Sequence, residues 1–347
     1  VWIMAYTTID KPSDYFNTVL YTGNGSGQTI SGVGFQPDWN WTKCRTATQS
    51  HVLTDAVRGV TKTLFTNATQ AEATLSGITA FGTDGYTLGA SDLWSENSTS
   101  FASWNWLGAN GTASNTTGSI DSTVSANTTS GFSIVSYAGN STAGATIGHS
   151  LGVAPKMIIV KDRDGADSWV VYHNSLAITE YLILNSTSAA LTDNEVIFYD
   201  TDPTSSVFTV GAHNTVNQSG HNYIAYCFAE KQGYSKFGSY TGNGNADGTF
   251  VYTGFKPAWV LIKWVGGTSD WYIYDNKINP FNVMSKVFAP NIANAEITTS
   301  RLMDFTSNGF KNRGSGNTTN ASGENYIYMA FAENPFVTST GVPATAR

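Results

Sequence analysis

Gly148-His149-Ser150-Leu151-Gly152 has the G-x-S-x-G spacing of a serine-hydrolase nucleophile elbow. That elbow works because a strand, turn and helix lift the serine hydroxyl above a parallel sheet. Here Val153-Ala154-Pro155 and a β-type run follow, so the pattern reads as a turn and Ser150 as no nucleophile. Paired carboxylates would suit a glycosidase, one acting as acid and the other as base or nucleophile. Glu230 with Glu333, Glu72 with Glu296, and Asp55 with Asp275 are the candidates. Each pair occupies equivalent places in a repeated pattern, which points to structure, because a catalytic pair occurs once.

Asp162, Asp164 and Asp167 resemble part of a calcium loop, and Asn243, Asn245 and Asp247 offer a second oxygen cluster. Neither ends in the bidentate glutamate that completes such a loop, so a plain Asp/Gly turn is the expectation. Calcium is carried as the one possible cofactor. His51, His149 and His221 show no metal spacing, and Cys44 and Cys227 have no partner at C-x-x-C distance. Both thiols are expected to be buried or free.

The candidate binding residues are aromatic and cationic. Trp94, Trp169 and Trp271, with Tyr234 and Tyr240, lie near Asn/Asp/Gly-rich loops, where exposed rings would stack on sugars. A sandwich core is the competing place for them. Lys43, Lys161 and Lys263 each share a strand face with large apolar neighbours: Trp39 and Trp41, Met157 and Ile159, Trp259 and Leu261. A buried unpaired ammonium is costly, so each lysine must reach water or meet a carboxylate. Guarding a sheet edge is the bland role, and contact with an acidic sugar or a subunit carboxylate the sharper one.

The elements that must position these groups are read from composition and repeats. The 347 residues include 18 Lys+Arg against 25 Asp+Glu, and only 12% are charged, about half the usual share. Yet 41% are hydrophobic and 13% aromatic, which excludes a disordered tail. Ser, Thr, Asn and 34 Gly supply the polarity, and they favour turns and strands over helices. The acidic balance without a basic run argues against nucleic acid. No apolar run approaches the ~18 residues of a membrane helix, and the opening residues do not read as a signal peptide. Asn-x-Ser/Thr sequons such as Asn67, Asn97, Asn115 and Asn185 follow from the composition.

Tyr21-Thr22-Gly23-Asn24 recurs as Tyr137-Ala138-Gly139-Asn140 and Tyr240-Thr241-Gly242-Asn243. Downstream, Pro37, Pro155 and Pro257 each precede a strand-like run that reaches Lys43, Lys161 or Lys263 at the same spacing. Asp55, His173 and Asp275 follow at a further fixed distance, and each copy closes on an aromatic strand ending at Trp106, Phe228 or Phe331. Ordered landmarks at nearly constant spacing mark a triplicated unit of roughly 100 residues. Alternation of period two dominates, so each unit is expected to be a β-sandwich: an all-β chain of three tandem repeats. The boundaries read as an N-terminal extension (1–14), repeat one (15–110), a Gly/Ser/Thr/Asn linker (111–130), repeat two (131–233), repeat three (234–334) and an extended tail (335–347). In repeats two and three the Pro-to-Lys strand is apolar on both faces, so it is buried twice or lies against a neighbour. In repeat one, Asn40 and Thr42 place the second face in water.

Several stretches carry a family likeness: Met4–Asp10, Asp14–Thr18, Thr129–Tyr137, Gly148–Lys161, Asn222–Gly233 and Tyr326–Glu333. On these the chain resembles an uncharacterised repeat family common in marine bacteriophage tail-fibre and virion proteins. Val1-Trp2-Ile3 precede the Met-Ala-Tyr opening of that likeness, as extra upstream sequence or part of a longer polypeptide. The units are similar to concanavalin-like, laminin-G-like or jelly-roll sandwiches, which implies glycan or receptor contact by analogy. The resemblance implies a non-enzymatic, extracellular virion component, an adhesin of the tail fibre. Other virion proteins, further copies of itself and a host glycan or receptor are its expected partners. A purely structural decoration or fibre protein is the second reading, and a capsule-degrading glycosidase the third. No nucleic acid and no membrane insertion are expected.

Overall fold

The computed structural model describes residues 5–345; Val1-Trp2-Ile3, Met4 and the last two residues of the expected tail lie outside them. The chain is all-β, and every strand pair is antiparallel apart from one isolated bridge between Ile120 and Ile147. Among the described residues, helix is confined to a 3-10 turn at Pro12–Asp14 and three four-residue turns, Asp92–Ser95, Asn214–Asn217 and Asn317–Asn320. β-branched and aromatic residues at alternate positions explain this, since they pack on a pleated surface and crowd a helix.

Three large sheets organise the molecule. In the first, Ser100–Trp106 lies between Phe16–Thr22 and Trp39–Cys44, with Val52–Asp55 and Lys62–Phe65 beyond. In the second, Asn222–Phe228 lies between Phe132–Ala138 and Met157–Asp162, with Val170–His173 and Glu180–Ile183 beyond. In the third, Asn325–Pro335 lies between Ser235–Thr241 and Phe255–Trp264, with Tyr272–Asp275 beyond. One chain order therefore recurs: the last strand of each sheet is inserted between Phe16–Thr22, Phe132–Ala138 or Ser235–Thr241 and the strand of the same sheet that follows it in the chain. Each of these sheets faces a second, outer one. The outer sheets contain Gln28–Ser31, Gly85–Leu88 and Ile78–Gly82; Ala145–Gly148 and Val207–Val210; and Phe250–Tyr252, Gly309–Asn312, Ile297–Thr306 and Met284–Val287.

The central strands of every large sheet are buried on both faces. Val260 and Ile262 enter a core shared with the adjoining outer sheet, while Trp259 and Leu261 point the other way. There they meet Trp39, Trp41, Trp104 and Trp106 of the first sheet and Ile159, Tyr226 and Phe228 of the second in one central cluster. The rings touch across the sheets, Trp39 lying 4.7 Å from Tyr226 and Trp106 5.9 Å from Trp259 between centroids. Offset and edge-on aromatic pairs of this kind each add about 0.5–1.5 kcal/mol beyond area burial.

Two expectations need correction. Asn40 and Thr42 do not face water: both are buried, with Asn40 donating to Asn105 Oδ1 at 2.8 Å and Thr42 to Asn40 Oδ1 at 2.7 Å. Polar side chains that satisfy one another are tolerated in a core. The stretch 111–130 is no flexible linker either. Ala113–Asn115 and Ser122–Asn127 form strands that extend the second large sheet outward from Phe132–Ala138, and Val124 enters its core.

The chain ends are also held. Ile9 joins the central cluster, Thr7 donates to the Gln232 carbonyl at 2.8 Å, and Ser339 donates through its backbone and hydroxyl to Asp10. Those two hydrogen bonds hold the Asp10 carboxyl below its ordinary pKa.

Candidate functional site

Ser150 sits in a turn at φ 58°, where it receives a hydrogen bond from Asn115 Nδ2 at 2.7 Å. His149 beside it is buried. Its Nδ1 accepts from the Leu151 amide, so the ring proton is on Nε2, facing the Thr204 carbonyl at 3.2 Å. Both ring nitrogens are thereby occupied by backbone, and burial lowers the His149 pKa.

The carboxylates pair with cations or donors in separate places. Glu72 bridges Arg58 and Arg163, Glu296 bridges Arg45 and Lys286, Glu230 meets Lys236, and Glu333 meets Lys256 and Asn276. Asp162 accepts from the Asp164 and Gly165 amides at 2.8 and 2.9 Å and from His221 Nδ1 at 2.8 Å. Asp164 accepts from Asn222 and Asp167 from Thr215. Asp162 thus closes a turn that Asp164 and Asp167 tie to neighbouring segments, and no group of three or more metal-type side chains converges among the described residues. The Asp162 contact raises the pKa of His221. Cys44 and Cys227 are both buried and free.

The aromatic candidates are not on the surface. Trp94, Trp169, Trp271 and Tyr234 are fully buried, and Tyr240 is buried but for a small edge. Trp94 fills the first outer core, lying so close to Gly77 that a Cβ there would come within 2.5 Å of its ring. Trp169 and Trp271 are cross-sheet staples. Trp169 Nε1 donates to the Phe65 carbonyl at 2.9 Å and Trp271 Nε1 to the Ile183 carbonyl at 3.0 Å. His51 holds the corresponding place in the first sheet: its amide donates to Asn67 as those of Trp169 and Trp271 do to Asn185 and Asn291. Trp41 donates to His51 Nδ1 at 3.2 Å, and burial pushes the ring pKa well below its usual value.

The lysines neither reach water nor guard an edge. Each strand that carries one lies between two others, and all three side chains are buried. Carbonyls receive the ammonium instead: Cys44 and Ala293 for Lys43, Asp162 and Gly165 for Lys161, Ser269 and Thr187 for Lys263, at 2.5–3.2 Å. Burial lowers each pKa to about 8. Lys43 to Ala293 and Lys263 to Thr187 cross seams between large sheets, whereas both acceptors of Lys161 lie in its own strand end and the turn that follows. Beside them the Glu296 amide donates to the Arg45 carbonyl, Glu72 to Arg163 and Ala190 to Val265, at 2.7–2.9 Å. The seams therefore run from the first sheet to the third, from the second to the first, and from the third to the second. The circle is closed.

Sequence reasoning overlooked the aromatic residues that are exposed. Among the described residues these are Phe250, Tyr252 and Phe281, at 45%, 53% and 79%. The available signal was the alternation Phe250-Val251-Tyr252, in which the core takes only the valine.

The fold and these placements define an all-β protein whose antiparallel sheets are joined through one aromatic core. Residues 11–335 match the model of a family described as a domain of unknown function, DUF7483, and the chain belongs to that family. Neither the curated proteins nor the solved structures give a match.

Proposed function

We propose that the chain is three copies of one β-sandwich unit, closed into a ring, and that it serves as a surface component of a phage particle that adheres to the host cell. The observation that carries this reading is the closed ring of seams around a single core. It fixes three outer sheets and their loops in rigid register, all directed away from the centre. A scaffold of that kind suits several weak contacts made together, which gain avidity through effective concentration. The recurring strand order and the matching positions of Lys43, Lys161 and Lys263 support the triplication.

A purely structural decoration or fibre protein was favoured by strands apolar on both faces. Those faces pack within the chain, so they no longer argue for burial against neighbouring proteins. The candidate carboxylates of a glycosidase are paired in separate ion pairs, which favours adhesion over hydrolysis. The test is binding of the labelled protein to intact bacteria that the particle infects, with a reducing-sugar assay run in parallel. Saturable binding without sugar release is expected. Incorporation into particles without cell binding would move the reading to a structural part.

A further inference from the structure

The outer sheet of the third unit differs from its two counterparts at the positions that face solvent. Register places Phe250 opposite Lys311 and Tyr252 opposite Gly309, and on the far side Asp304 opposite Lys311 and Thr306 opposite Gly309. Val251, Phe305 and Phe310 point inward to the core. The outward face therefore has one row of Phe250, Lys311 and Asp304, and a second of Tyr252, Gly309 and Thr306. In the first unit the matching pairs are Thr29 with Thr87 and Ser31 with Gly85. In the second they are Thr146 with Thr209 and Gly148 with Val207, and there Gly148 is buried beneath Asn115 rather than facing solvent. The first unit folds with exposed hydroxyls where the third exposes a phenyl and a phenol ring. Folding therefore does not require these rings, and large exposed aromatic groups signal contact with something else.

The surroundings restrict what that is. Lys311 pairs with Asp247 at 2.6 Å, and Arg313 lies 3.5 Å from Asp247 and 3.3 Å from Asp304. Two cations and two carboxylates adjoin the rings, so the patch offers donors and acceptors without net charge. Tyr252 extends the apolar part through its hydroxyl contact with Tyr6, whose ring meets Phe336 edge-on at 6.3 Å. A protein partner would call for an apolar centre depleted of charge. An anionic sugar or lipid head group would call for an excess of cations. A ring with an apolar C–H face and a rim of hydroxyls satisfies both halves of the patch. Phe250 and Tyr252, two residues apart on one strand, are separated by about 6.6 Å, which suits successive sugar rings.

We infer that this face, centred on Phe250 and Tyr252 with Lys311, Asp304 and Arg313 at its rim, binds a neutral oligosaccharide. The inference rests on the adhesin reading and deepens it, because it assigns the contact to one unit of three.

The test replaces Phe250 by Thr and Tyr252 by Ser, the residues that the first unit carries at those places. Tyr252→Ser alone provides a second variant should the pair fold poorly. Wild type and variants are applied to a printed array of neutral and acidic oligosaccharides, to surface polysaccharide purified from the bacteria, and to whole labelled cells. Wild-type binding to neutral sugars, weakened about tenfold or more in the variants at unchanged melting temperature, is the expected result. Equal sugar binding by wild type and variants overturns the site and leaves the adhesin reading standing. Preference for acidic sugars, or cell binding without sugar binding, overturns the ligand class alone. Binding to neither cells nor sugars overturns both.

Discussion

Tyr226, on the closing strand of the second large sheet, donates its phenolic hydrogen to Oδ2 of Asp55 in the first at 2.7 Å. The same oxygen meets Arg58 Nε at 2.5 Å, so one buried carboxylate joins an ion pair to a seam. Thr18 and Trp104 of the first sheet approach Asp275 Oδ2 of the third in the same manner, at 2.7 and 2.8 Å. Burial nevertheless holds the Asp275 carboxyl above its ordinary pKa. In the remaining seam the carboxylate gives way to His173, whose Nε2 faces the Tyr328 carbonyl at 3.1 Å.

Removing the phenol and removing the carboxylate should therefore differ in cost. Tyr226→Phe loses one hydrogen bond to a charged acceptor, about 1.5–3 kcal/mol. Asp55→Ala leaves Arg58 buried without its closest counter-ion, about 3–5 kcal/mol. Urea denaturation of both variants measures the difference; equal losses would mean that the Arg58 pair contributes nothing separate.

The buried lysines make stability depend on alkaline pH. Their folded pKa values, about 8, lie below the ordinary 10.5, so between these limits the unfolded chain binds more protons. Stability should rise as pH increases from 8 toward 10, before the buried tyrosines, whose pKa values are raised, act in the opposite sense. Lys263→Met should be less stable at pH 7, by about 1–3 kcal/mol for the abandoned carbonyls, with a shallower rise. Denaturation midpoints at pH 7, 8, 9 and 10 provide the check.

At acid pH the histidines act. Burial brings His173 down to about 4 and lowers His51 and His149, so below pH 6.5 the unfolded state takes up protons that these folded rings refuse. Their contribution is complete above 6.5 and is lost as pH falls toward 4. For His173 the slope reaches about 1.4 kcal/mol per pH unit within that window. His173→Gln should flatten the profile of melting temperature against pH between 6.5 and 4; an unchanged profile would contradict the assignment.

Val124 lies in a stretch whose composition suggests a linker, yet it is buried in the second outer core. Val124→Asp should cost about 3 kcal/mol or more, whereas a flexible connection would accept it without loss. Thermal melting separates the two.

The strands were legible where one residue's chemistry determined its place. Trp259 and Leu261 alternate with Val260 and Ile262, and that alone required two buried faces. The shared Pro-to-Lys spacing likewise pointed to one strand order in three places. What escaped were partners distant in the chain. Trp169 borders polar loops in sequence, but the group it bonds is the Phe65 carbonyl, far upstream. Asn40 reads as a solvent residue until Asn105 is placed opposite it. In Ser122–Asn127 the alternating Val124 and Ala126 were the strand signal, outweighed by surrounding Ser, Thr and Asn.

The closed seams also constrain how the molecule is made. Trp104 leaves the ribosome long before Asp275, its hydrogen-bond acceptor, has been synthesised. Until then only the second sheet, through Tyr226 and Phe228, can cover part of the face that carries Trp39, Trp41, Trp104 and Trp106. Closure of the ring therefore waits for the third sheet, and a chain truncated before it should leave part of that aromatic face uncovered.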